Sequence, residues 1–125
     1  MRVGLFTPLL SQLSLSAVLK KLAPLHINTV ELGTGNYPGD AHCKLAMLGD
    51  NNALAEFQKL LSDQGANISA LSCHGNPLHP DRARAEHDRE VSRSTILLAE
   101  KLAVPVVVDF SGCPAIRTVQ PRLTG

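Results

Sequence analysis

The chain predicts an α/β fold with a parallel sheet, the N-terminal four strands of a TIM-barrel-like (β/α) half-barrel. Short apolar runs alternate with stretches of helical periodicity along the 125 residues and close on a final run at 104–110. Runs such as Val106-Val107-Val108 are apolar at successive positions, as strands covered by helices require. Each run ends in small, polar or ionisable residues, at Thr7, 31–35, 72–76 and 109–113, where parallel βα folds carry their ligand sites. A closed (β/α)8 barrel usually takes about 250 residues. The expected unit is therefore a partial barrel over 1–114 followed by an irregular tail at 115–125, with a truncated or altered reading frame as the expected origin of that tail.

Residues 3–7 form the first strand. Leu15, Val18, Leu19, Leu22 and Leu25 then repeat at helical spacing, with Ser14 as N-cap and Pro24 limiting the helix by its missing donor. The second strand is 27–32. Asp50 caps a helix bearing Leu54, Phe57, Leu60 and Leu61, and Gly65 suits the left-handed residue after it. The third strand is 68–73. Over 80–103, Val91, Thr95, Leu98 and Leu102 keep helical spacing, while Arg82, Arg84, Glu86, Arg89 and Glu90 mark a solvated first half.

Composition bounds the partners. With 44% hydrophobic and 18% charged residues, and 12 basic against 11 acidic, neither a nucleic-acid field nor disorder is indicated. Tyr37 and three Phe give no stacking platform for single-stranded nucleic acid. The N-terminus lacks a signal peptide, and no run of about 20 apolar residues exists to span a membrane, so a cytoplasmic protein is expected. Cys43, Cys73 and Cys113 form no Cys-x-x-Cys pair and are expected as free buried thiols. His42 and Cys43 have no matching metal-spaced pair and read as surface-loop residues.

Alternation along the second strand puts Glu31 on the side opposite Val30 and Leu32, away from the helices. The same alternation places Ile68, Ala70, Ser72 and His74 on one side of the third strand. Glu31, His74 and Asp109 are thereby expected to converge. A desolvated carboxylate is costly unless it meets a cation, a metal or good donors, so polar ends on adjacent strands point to a site. The alternative for Glu31 is a structural ion pair, and for His74 a histidine that satisfies a turn. His74 suits a divalent metal or a sugar oxygen, Gly75 permits close backbone approach, and Asn76 and His79 lie in the same loop. Gly33 and Gly35 open no helix, so 31–40 is a substrate loop or a plain turn rather than a dinucleotide fingerprint.

The segments VELGTGNYPG at 30–39, LSCHGNPLHP at 71–80 and FSGCP at 110–114 resemble the sugar phosphate isomerase/epimerase family with the xylose-isomerase-like TIM barrel. The resemblance covers 1–114. It implies a barrel that uses a divalent metal (Mn, Mg or Zn) and carboxylates to move a proton between adjacent carbons of a sugar, sugar phosphate or polyol. Glu31, His74, Asn76 and His79 would line its pocket, with Glu31 and His74 as candidate metal ligands. In that family the principal metal-binding and catalytic carboxylates lie on later strands, so no complete metal set carries over and activity is expected to be incomplete in this chain.

Two other readings stand beside it. One is a metal-dependent phosphodiesterase of the apurinic-site endonuclease type, disfavoured by a net charge of +1 without a basic stripe. The other is a non-catalytic half-barrel that self-associates, because an open sheet leaves Val3, Leu5, Ile68, Ala70 and Val107 facing water. A homo-oligomer is expected on that ground.

Overall fold

A computed structural model describes residues 1–114. The expected 115–125 tail lies outside the described residues. Four strands, β1 (Gly4–Phe6), β2 (Thr29–Gly33), β3 (Asn67–Ser72) and β4 (Val107–Val108), alternate with three helices, α1 (Leu15–Leu22), α2 (Asn51–Asp63) and α3 (Arg82–Leu102). The sheet is open, with order β1-β2-β3-β4 and every pairing parallel. This is the predicted α/β arrangement, a parallel half-barrel.

Local signals fix the helix ends. The Ser14 hydroxyl accepts from the Ala17 backbone N–H at 3.1 Å, and Asp50 Oδ1 accepts from those of Asn52 and Ala53 at 3.1 Å each. Gly65 takes φ +62° behind α2. Two features escape the periodicity. A 3-10 turn at Leu45–Gly49 carries Met47 into the core and packs on α3. The strand expected over 104–110 shrinks to Val107–Val108, because the Val104 N–H still bonds the helical carbonyl of Ala99 and Pro105 has no donor to offer the sheet.

The core lies between the sheet and its helices, with Val18, Val30, Leu32, Leu71 and Leu98 fully buried. No helix of the described residues is long and apolar enough to cross a membrane. Register corrects the expected inner face. Leu5 pairs with Val30 and Val107 with Leu71, so both share the helix side. Ile68 joins them because a bulge leaves Ser69 unmatched between the Val30–Ile68 and Glu31–Ala70 pairs and reverses the parity. Of the five residues expected to face water, Val3 is exposed, whereas Ala70 is on the inner side yet buried.

Two further expectations are overturned. His42 and Cys43 are not surface residues: the imidazole bridges the Thr7 hydroxyl at 2.8 Å and the Leu13 carbonyl at 2.7 Å, tying the loop after β2 to that after β1. Cys113 is exposed, unlike the buried Cys43 and Cys73. Burial pushes the Cys43 thiol up to about 12, helped by the Asp40 charge, and pushes Cys73 up to about 11.

Candidate functional site

At the C-terminal ends of the strands the inner face gathers a carboxylate, a hydroxyl and an imidazole. Ser72, two positions beyond Ala70, shares the side of Glu31, and its hydroxyl donates to Glu31 Oε2 at 2.5 Å. His74 continues that alternation past the strand. Its ring lies 6.3 Å from Phe6, the residue paired with Glu31, and stacks on Phe110 at 4.7 Å and 12°. Glu31 and His74 thus occupy one side and one end of the sheet, as parity predicts. The Nε2 atom of His74 is buried without a hydrogen-bond partner.

The loop after β2 is stitched to the end of β3. The Thr34 N–H donates to the Ser72 carbonyl at 2.9 Å, Asn36 Nδ2 to the Cys73 carbonyl at 2.9 Å, and the Tyr37 N–H to the His74 carbonyl at 3.0 Å. A buried hydroxyl pair, Thr34 and Thr95 at 2.7 Å, fastens the same loop to α3. These bonds tie the loop after β2 to the chain from Ser72 to His74 and satisfy its carbonyls.

Asn76 and His79 sit elsewhere. The Asn76 amide is consumed by the backbone, with Nδ2 donating to the Cys113 carbonyl and Oδ1 accepting from the Cys113 N–H, both at 2.9 Å. It latches the segment after β4 to the segment after β3, beside a cleft of about 670 Å³ lined also by Tyr37, Phe110 and Gly112. His79 Nδ1 accepts from the Asp81 N–H at 3.0 Å, ahead of α3. Asp109 does not converge with Glu31 and His74. Val108 is paired with Ser72 and faces inward, so Asp109 turns toward α3, where its carboxylate bonds the Ser92 hydroxyl.

Sequence reasoning missed three contributors. Phe6 and Phe110 require the cross-strand register before they can be placed beside His74. Asp88 carried a signal: it falls on the buried face with Ala85 and Thr95, within a stretch read as solvated. Its carboxylate, 3% exposed, accepts from the Asn76 N–H at 2.7 Å and holds the loop that bears His74.

Fold and site together define a parallel β/α protein with an ionisable set at the C-terminal ends of its strands. No family model matches the chain. Over 116 residues it is 33% identical to a Bacillus subtilis (strain 168) protein named "Uncharacterized protein YfiH", a match covering 92% of this chain and 37% of that relative. The chain thus spans little more than a third of the relative's length.

Proposed function

We propose that this chain forms the substrate pocket of a sugar isomerase/epimerase-like protein, acting on a sugar, sugar phosphate or polyol. The observation that carries the reading is the Glu31–Ser72 bond beside His74, on the inner face of a parallel sheet at the end where such folds bind ligands. A carboxylate that accepts and an imidazole that accepts or donates suit sugar hydroxyls, and both exchange protons. The resemblance of 30–39 and 71–80 to the isomerase/epimerase loops supports the substrate class.

The divalent metal of that reading finds only Glu31 and His74 here. Among the described residues no group of three His, Cys, Asp or Glu side chains is placed to hold a metal ion. Glu31 also already accepts from Ser72. A tight metal site does not fit this set, so binding and proton exchange at Glu31 and His74 are the roles assigned to the chain's own residues.

Saturation-transfer NMR with myo-inositol and glucose 6-phosphate tests the proposal. At least one is expected to bind, and Glu31→Gln or His74→Ala to weaken it about tenfold, the scale of one hydrogen bond to a charged group. Binding of neither probe, or unchanged binding by both variants, would defeat the reading.

One observation favours a second role, self-association. Helices cover one side of the sheet, β1 and β4 are its edges, and Tyr37 and Phe110 stay 64% and 53% exposed at its rim. Sedimentation velocity is expected to show a dimer at micromolar concentration. A compact, cooperatively melting monomer would exclude it.

A further inference from the structure

We infer that the cleft beside Phe110 is a binding site for an uncharged ring sugar or cyclic polyol, laid against Tyr37 and Phe110. The ligand class follows the sugar reading above, whereas the site is separate, since neither Glu31 nor His74 lines the cleft. Its volume of about 670 Å³ lies within the roughly 300–1,000 Å³ of small-molecule sites. Two aromatic side chains of its lining, Tyr37 and Phe110, are exposed rather than folded into the core. Their centroids are 6.5 Å apart and their planes differ by 46°, so neither ring covers the other. Aromatic faces carry negative charge and attract the polarised C–H groups on the flat side of a pyranose or inositol ring, and burying that side from water adds to the attraction. An open-chain polyol has no such side.

The walls are held before any ligand arrives. Tyr37 is fixed through its backbone N–H on the His74 carbonyl at 3.0 Å, and the segment after β4 through both Asn76–Cys113 bonds. A preformed site loses less freedom on binding. Ligand hydroxyls find partners in Ser111 and in the carboxylate of Asp109, which lines the cleft and stays exposed although it bonds Ser92. Asp109 is the one Asp, Glu, Lys, Arg or His of that lining, and it repels an anion. Placing a phosphate dianion several ångströms from it weakens binding about fivefold at low salt. Tyr37 also borders a second cleft, of about 600 Å³, where Phe6 and the Lys44–Asp40 ion pair stand. A phosphate would favour that side, so the charge of the ligand distinguishes the two clefts.

Tyr37 is the only tyrosine and the chain has no tryptophan, so intrinsic fluorescence reports this place alone. Acrylamide is expected to quench that emission strongly in the free chain, and the quenching to fall saturably as myo-inositol or glucose is added. Sorbitol, the open-chain counterpart of glucose, leaves it unchanged. Glucose 6-phosphate acts about fivefold more weakly than glucose at low salt, and the difference vanishes in Asp109→Asn. Binding of myo-inositol followed by saturation-transfer NMR falls about tenfold in Tyr37→Ala, the upper end of one aromatic stack, and is retained in Tyr37→Phe. Tyr37→Ala removes an exposed side chain and keeps the backbone bond to His74, so the fold survives it. Tyr37 shielded before ligand is added, shielding by neither myo-inositol nor glucose, sorbitol as effective as glucose, or glucose 6-phosphate at least as effective as glucose in the unaltered chain overturns the inference. Sugar binding that Glu31→Gln or His74→Ala weakens while Tyr37 stays fully quenchable overturns it too, and leaves the reading of that pair intact.

Discussion

Asp88→Ala is expected to lower the free energy of unfolding by about 2–3 kcal/mol, because it leaves the Asn76 N–H without its acceptor and opens a void beneath the loop after β3. Arg84, at 4.0 Å, and His87, at 3.2 Å, add less, since their side chains are 52% and 66% exposed and water screens them. Asp88→Asn keeps an acceptor and is expected to recover part of the loss.

The same carboxylate gives stability a pH dependence of known sign. Burial pushes its pKa up, but the Asn76 N–H, then His87 and Arg84, outweigh that and hold the group below its ordinary value. A folded pKa below the unfolded one contributes stability that is present in full above the ordinary carboxylate range. It is lost as pH falls toward the folded value. Urea melts at neutral pH and near pH 3 are expected to differ less in Asp88→Ala than in the unaltered chain. An equal or larger acid loss in the variant would show that other groups carry the dependence.

What sequence made legible follows the range of the interaction involved. Ser14 and Asp50 act within three residues, so their caps could be read directly. The side of Glu31 follows from alternation within one strand. The bulge at Ser69, by contrast, exists only as a mismatch between β2 and β3, and it moved Ile68 to the helix side. The β4 register likewise turned Asp109 outward and brought Phe110 over His74. The burial of His42 is not legible in sequence because its two partners, Thr7 and Leu13, lie 35 and 29 residues away. Asp88 shows the converse. It lies on a helical stripe with Ala85 and Thr95, but the charges on neighbouring residues give the whole first half of α3 a solvated pattern.

Gly33→Ala is expected to be comparably damaging and to reach the site itself. A Cβ built on Gly33 would lie 2.6 Å from the Gly39 carbonyl oxygen and 2.7 Å from Pro38 Cβ, so the clash is with backbone and a rigid ring rather than a flexible tip. Either β2 shifts in the middle of the sheet or the loop after it lifts away. The loop is the softer element, and it carries the Asn36 and Tyr37 bonds to the carbonyls of Cys73 and His74. Overpacking of this kind costs about 1–3 kcal/mol, and losing two backbone-directed bonds places the substitution at the upper end. Gly49→Ala serves as the control. No atom lies within 4 Å of its new Cβ and its φ is not left-handed, so that change should be neutral or slightly stabilising through the unfolded state. Urea melts give the stabilities, and amide NMR shifts of Tyr37 and His74 report whether the loop has lifted. A Gly33→Ala chain as stable as the Gly49→Ala control, with those shifts unmoved, would mean that the close approach of β2 to the Pro38–Gly39 backbone does not hold the pocket edge in place.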